Sequence, residues 1–283
     1  MKPGRTFAAI ISIALVAGLM AGCGGTTPNG SQSETGKITV VGSTSVGPYM
    51  DELSKLFMGK NPGISINVEQ VGSGQGIAAT KDGSADIGMS SRELKDEEKP
   101  LNEYKLCLDG IAIVVHPDNP VSNLTKEQVK KIYLGEITNW KDVGGNDAPI
   151  NLYTREASSG TRGAFEELVL GKDAAGKQIT IDETICAAVL NSTGNLGASV
   201  GNDKNAIGYM SLGIVPEYIV KAIKFNGVDA TPENVKNKTY ALQRPFLLLT
   251  KNEPTGIVKD FLDFCLSSDE AKAYLESQKL IIE

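Results

Sequence analysis

The sequence predicts an α/β protein of two lobes joined by two crossover strands, with a ligand cleft between them. Two observations carry this: strand-like and helix-like segments alternate along the chain, and the strand segments 106–115 and 246–250 are placed to pass between lobes. The crossings divide the chain into 37–112 plus 246–283 (lobe I) and 113–245 (lobe II). Two α/β lobes on a hinge of two strands form a cleft suited to a small ligand.

The elements follow in order. Residues 1–22 form an export signal: Lys2 and Arg5 are followed by the apolar run 7–20, short for a membrane span, and the segment ends in Met20-Ala21-Gly22-Cys23. Small residues before a cysteine resemble the lipobox of bacterial lipoproteins, with Met20 departing from the usual Leu. Cys23 is therefore the expected lipidation site, and residues 23–36 the lipidated cysteine and its flexible tether. Beyond it, 37–41 and 64–71 read as strands by their β-branched content, and between them Leu53, Leu56 and Phe57 make an apolar helical face after Pro48. The same grammar gives strands at 85–89, 106–115, 150–153, 206–209, 222–225 and 246–250. Helices are expected at 74–81, 125–134, 160–170, 183–190, 256–267 and 269–277, and Thr125 with Gln128 makes a capping box.

Charge and composition exclude several classes. The chain of 283 residues has a formal charge of −6, and removing Lys2 and Arg5 with the signal lowers it to −8. Nucleic-acid binding is not expected, because no cluster of Lys and Arg with aromatic residues is present to displace counterions. With one histidine and no CxxC, neither a metal site nor a cofactor is expected. His116, at the end of an apolar strand, reads as structural. Besides Cys23, the three cysteines Cys107, Cys186 and Cys265 leave their redox state open.

Three segments share one design, a strand, a Gly/Ser/Thr turn and a helix: 42–48 (GSTSVGP), 72–76 (GSGQG) and 155–161 (REASSGT). Each sets free backbone N–H groups, the positive end of a helix dipole and short hydroxyls at one point, which binds an anion without a cationic cluster. The second is not a dinucleotide fingerprint, since it reads GxGxG, and no GxxxxGK[ST] occurs. A fourth segment, 86–92 (DIGMSSR), places Asp86 before an apolar strand and Ser90, Ser91 and Arg92 after it. A carboxylate in an anion site repels any ligand that has no proton to donate, so Asp86 there would favour hydrogen phosphate over sulfate. Arg155 is the natural counter-charge, and Arg92 a weaker one.

These blocks resemble the phosphate-binding receptors of the phosphate-specific ABC importer. GSTSVGP, VGSGQG, ADIGMSSR, KIYLGEITNW and REASSGTR at 42–48, 71–76, 85–92, 131–140 and 155–162 follow the family's order across nearly the whole mature chain. The resemblance implies a type II periplasmic-binding-protein fold, with phosphate contacts at Thr44, Ser45, Ser73, Asp86, Arg155, Ser159, Gly160 and Thr161. Ser90, Ser91 and Arg92 are additional candidates. Ser45 stands where well-known members have Phe, a change that a backbone contact survives. The chain is further expected to be a monomer, lipid-anchored at the cell membrane through Cys23 and facing outside the cytoplasm. Its expected partners are inorganic phosphate and the permease subunits with their cytoplasmic ATPase. The alternatives are a receptor for another oxyanion such as sulfate or molybdate, or a surface or signalling lipoprotein outside transport. Catalysis is not expected, because Ser158 or Ser159 as nucleophile needs a base and the only histidine lies in another segment.

Overall fold

The chain opens as a βαβ unit whose parts are each explained by their residues. The computed structural model describes residues 35–282, so the signal, Cys23 and most of the tether lie outside the described residues. Strand β1 (Gly36–Gly42) runs parallel to β2 (Ile64–Gln70), and helix α1 (Gly47–Lys60) joins them with its proline in the first turn. On α1 the residues Tyr49, Met50, Leu53 and Phe57 are buried at helical spacing, each apolar side chain contributing about 1.5–3 kcal/mol by leaving water. At the sheet edge, β2 begins by alternating buried and exposed positions, as a strand with one wet face should. Helix α2 (Ser73–Asp82) then leads to β3 (Ile87–Ser90), which is buried throughout and parallel to β1.

Strand β4 (Asn102–Val115) is the spine of the fold. It is longer than the expected 106–115, and its pairing changes partway along. Residues Asn102–Gly110 pair antiparallel with β10 (Gln243–Thr250), whereas Ile111–Val115 pair with β8 (Ala206–Ser211), with Ile113–Val115 also meeting β9 (Lys221–Phe225). On the far side β6 (Asn151–Arg155) runs parallel to β8 and to β7 (Ala188–Leu190). The main path of the sheet is β2-β1-β3-β10-β4-β8-β6-β7, and the short β5 (Asn123–Leu124) pairs with β9. The result is a mixed α/β sheet with parallel strands on both sides of an antiparallel pair. The C-terminal ends of β1, β3, β6 and β7 carry the loops of interest, the usual place for a ligand site in parallel α/β sheets.

Helix α3 (Lys126–Tyr133) begins with the expected capping box, Thr125 accepting from the Gln128 amide and Gln128 from the Thr125 amide. Helix α4 (Gly160–Phe165) continues as a π-helical segment, Glu166–Leu170, so the expected 160–170 is one continuous rod with a change of pitch. The expected helix at 183–190 does not form. A single 3₁₀ turn, Glu183–Ile185, precedes β7, because Ala188-Val189-Leu190 finds a free edge on β6 and strand pairing overrides propensity. Helix α5 (Thr193–Gly201) follows, and α6 (Pro232–Lys236), α7 (Gly256–Ser267) and α8 (Asp269–Ser277) complete the described elements. No helix among the described residues is long and apolar enough to cross a membrane.

Under the second set of strands, Phe165 stacks on Tyr209 at 4.1 Å and 7°, with Tyr133 edge-on to Phe165 at 4.7 Å. This aromatic block matters beyond packing. The Tyr209 hydroxyl meets Thr154 Oγ1 at 2.7 Å and accepts from the Arg155 amide at 3.3 Å, fixing the end of β6. Cys107, Cys186 and Cys265 are free thiols, the first and last buried. His116 accepts the Asp118 amide on Nδ1 at 3.0 Å and closes a turn, the structural use expected of it.

Candidate anion site

The loops after β1 and β3 and the start of α2 meet the loops after β6 and β7 in a cluster of hydroxyls around one guanidinium. From the first group come Thr44, Ser45, Ser73 and Ser91; from the second come Arg155, Gly160, Thr161 and Thr193, and all eight are buried. Ser45 Oγ lies 2.9 Å from both Thr161 Oγ1 and Thr193 Oγ1, and Thr44 Oγ1 lies 3.3 Å from Thr193 Oγ1. Ser73 Oγ lies 3.3 Å from Ser91 Oγ and accepts the Ser91 amide at 3.1 Å.

Backbone geometry brings these groups close. Gly42 has φ +145°, and a Cβ there would sit 2.3 Å from the Met89 carbonyl, so only glycine lets β1 turn into the loop so near β3. A Cβ on Gly160 would lie 2.2 Å from Ser73 Oγ, which is why the start of α4 can approach Ser73 and Ser91 at all. The Gly74 amide also donates to the Ser158 carbonyl at 2.8 Å, tying the start of α2 to the loop before α4.

Four helices begin at or beside this cluster, and they are capped differently. Ser159 caps α4 by accepting from the Arg162 amide, and Ser192 caps α5 by accepting from the Asn195 amide. At α1 and α2 no side chain caps the first turn. The amides of Gly47, Tyr49 and Met50 in α1 bond to the Ser43 and Val46 carbonyls and that of Gly74 in α2 to the Ser158 carbonyl, so these helix starts favour an anion chiefly through the positive ends of their dipoles.

Arg155, 1% exposed, is the cation of the site. Its Nη1 donates to Thr193 Oγ1 at 3.0 Å and its Nη2 to Thr44 Oγ1 at 3.1 Å. Glu156 takes Nη2 at 2.8 Å and Nε at 2.9 Å, and the Leu190 carbonyl also accepts Nε at 3.1 Å. The other nearby arginines have separate work. Arg162 is bound to Glu166, to Glu183 and, at 2.9 Å, to the Arg155 carbonyl, so it braces Arg155 from behind.

Most of the sequence candidates meet here, with three departures. Asp86 is the main correction: its carboxylate accepts the Thr39 amide at 2.8 Å on the exposed side, at the N-terminal end of β3. The cluster is at the other end, five residues on, or roughly 16 Å along a strand. A strand presents only its near end to a site, so the acid that precedes β3 cannot share a site with the serines that follow it. Arg92 is also outside: it forms a two-point pair with Glu98 at 2.6 and 2.7 Å, and Ser90 Oγ donates to its carbonyl at 2.8 Å. Ser90 and Arg92 thus shape the turn, while Ser91 enters the cluster. The Ser159 hydroxyl, which caps α4 by accepting from the Arg162 amide at 3.3 Å, keeps its O–H free to donate beside Gly160.

Sequence reading missed Thr193, Asp109 and Arg244. The first had a signal, since Leu190-Asn191-Ser192-Thr193-Gly194 repeats the strand, hydroxyl turn and helix design, but the mistaken helix at 183–190 hid it. Asp109 and Arg244 face each other across β4 and β10, both 1% exposed in their side chains, at 2.9 Å. Arg244 also donates to the Ser91 carbonyl at 3.1 Å, and Ser211 Oγ donates to Asp109 Oδ1 at 2.9 Å. Burial pushes the Asp109 carboxyl above its ordinary range, with Arg244 and Ser211 pulling it back. Nothing in the separate segments 109 and 244 announces that pair.

Comparison with known proteins agrees with this geometry. Residues 27–270 match the PBP superfamily domain. The phosphate-binding protein PstS of Bacillus subtilis (strain 168) is 31% identical over 256 residues, spanning 89% of this chain and 82% of that protein. A crystal structure of a phosphate ABC transporter substrate-binding protein with bound phosphate from Clostridium perfringens is 43% identical, with a TM-score of 0.79, covering 88% of this chain and all of the other. An ABC-type phosphate transport receptor from Vibrio cholerae is 41% identical, with a TM-score of 0.72 and the same coverage. A mixed α/β fold of this topology, a buried hydroxyl and guanidinium cluster between its two sets of parallel strands, and these relatives together make the chain a member of the PstS family within the PBP superfamily.

Proposed function

We propose that this chain captures inorganic phosphate in the Thr44–Arg155–Thr193 cluster and delivers it to the membrane subunits of an ABC importer. The observation that carries the reading is the convergence of buried hydroxyls from both sets of parallel strands on Arg155, beside two helix starts without side-chain caps. A tetrahedral anion needs donors around it from several directions, and rotatable hydroxyls, helix N-termini and one planar fork supply them.

The two lobes of the reading are 37–112 plus 246–283 and 113–245, moving about the crossover strands. Support comes from β4, whose partner changes from β10 to β8 between Gly110 and Ile111. Hydroxyls that touch each other across the cleft must separate to admit an anion, and hinge motion about this point does that. The work is binding, not catalysis: Ser158 and Ser159 have no imidazole to activate them, because His116 is held in its own turn. Anchoring through lipid at Cys23, outside the cytoplasm, completes the proposal, with Cys23→Ser expected to release the protein from the membrane fraction.

Titration calorimetry of the full-length chain in detergent, with phosphate as titrant, tests the reading. Saturable one-site binding lost on Arg155→Ala supports it. Absence of phosphate binding in a protein with a cooperative melting transition rejects it.

A further inference from the structure

We propose that the site recognises its anion through hydroxyls free to donate or accept, with no carboxylate reserved for a ligand proton, so that it separates phosphate from sulfate only weakly. The inference rests on the phosphate reading and goes on to define how selective that same site is.

The hydrogen-bond inventory of the cluster is the basis. Thr44, Ser45, Ser73, Ser91, Thr161 and Thr193 bond to one another and to Arg155 through hydroxyls, each of which carries one donor and two acceptor positions and can rotate. Among the described residues, the one carboxylate bonded to any member of the cluster is Glu156. Both of its oxygens are on Arg155, which fixes them in the charge-balancing role. The backbone carbonyls beside the cluster each hold a donor already, Leu190 from Arg155 Nε, Ser91 from Arg244 and Ser158 from the Gly74 amide. The buried Ser158 hydroxyl, without a partner, is one more group able to donate or accept. Asp86, the acid positioned by sequence to accept a ligand proton, is bound to the Thr39 amide at the far end of β3.

The chemistry follows from what each anion can offer. Hydrogen phosphate has an O–H and sulfate has none. A site built around a fixed acceptor for that O–H rejects an analogue without it by about 10⁴–10⁵-fold, because the acceptor is left buried and unpaired. A hydroxyl does not have that asymmetry. It accepts the phosphate O–H in one rotamer and donates to a sulfate oxygen in another, so neither anion leaves a buried group unpaired. Arg155 and the helix starts attract both dianions alike.

The test is calorimetric titration of the full-length chain in detergent with phosphate, arsenate and sulfate at one pH and ionic strength. Arsenate, protonated like phosphate, is expected to bind comparably. Sulfate is expected to bind within about a hundredfold of phosphate, against the far larger gap of a fixed acceptor. Phosphate binding with a sulfate gap above about a thousandfold overturns the inference and leaves the phosphate reading standing, whereas failure of phosphate itself overturns both. A second arm uses Ser91→Asp, which sets a carboxylate at the hydroxyl position against Ser73 and Gly160. It is expected to weaken sulfate at least about tenfold more than phosphate. Equal losses for the two anions would remove Ser91 from the discriminating position and overturn its part in the proposal. The wild-type series decides the main point even if this variant folds poorly.

Discussion

Arg155 reaches Thr44 at 3.1 Å across the meeting of the two sets of parallel strands, and 111 residues of sequence separate them. The same guanidinium holds Thr193 and is itself held by Glu156 and the Leu190 carbonyl. Arg155 is thus both the charge of the site and the hub on which its hydroxyls are arranged.

Replacing Arg155 by Ala is expected to weaken phosphate binding by about 2–5 kcal/mol, the usual cost of losing one partner of a buried hydrogen-bonded charge contact. Arg155→Lys should fall between, since it keeps the charge and loses the fork. Arg92→Ala serves as the contrast: it breaks the Glu98 pair, so it should lower the melting temperature and leave affinity near wild type. Calorimetry and thermal melts on the three variants check this, and equal affinity losses at 92 and 155 would contradict it.

Thr193→Val preserves shape and removes the hydroxyl that meets Ser45, Thr44 and Arg155. The buried Arg155 Nη1 then loses a partner. Phosphate affinity is expected to fall by about 1–3 kcal/mol, with the fold retained by circular dichroism.

For Asp86→Asn, the expected result is an unchanged ratio of phosphate to sulfate affinity, within about twofold, as for a substitution remote from the site. A collapse of that ratio in competition titrations would return Asp86 to the selectivity role that sequence alone suggested.

Asp109→Asn leaves Arg244 buried without its counter-charge and is expected to destabilise the fold by about 3–5 kcal/mol in chemical denaturation. The double variant Asp109→Leu with Arg244→Met should recover much of that loss, because two apolar groups need no partner. Since Arg244 also holds the Ser91 carbonyl, the double variant should still bind phosphate more weakly than wild type.

Glu98 gives a pH dependence of defined sign. Burial pushes its carboxyl up, but the Arg92 hydrogen bonds, the Lys95 amide and the charges of both residues outweigh that and hold it below its ordinary 4.5. A carboxyl depressed in the folded state stabilises the fold at pH above its unfolded value and loses that contribution as pH falls through the folded value. Denaturation midpoints measured downward from pH 6 should therefore drop more steeply below about pH 4.5 in wild type than in Glu98→Gln. Parallel curves for the two proteins would refute the assignment.

Local chemistry made much of this protein legible. Alternating strand and helix patterns gave the α/β class, Pro48 and the Thr125–Gln128 box marked helix starts, and Gly/Ser/Thr turns after strands marked Thr44, Ser45, Ser73 and Thr161, because each of these signals acts within a few residues. Arg155 was legible for the same reason. The tertiary structure decided what depends on partners distant in sequence. Residues Ala188–Leu190 became a strand only because β6 offered an edge, and with that strand in place Thr193 became the hydroxyl beside Arg155. Asp86 and Ser91 belong to one short motif, yet a strand between them sends one to Thr39 and the other to Ser73. The pairing of Asp109 with Arg244 required β4 and β10 to lie side by side. Sequence specifies the donors and acceptors; the register and direction of strands decide which of them meet.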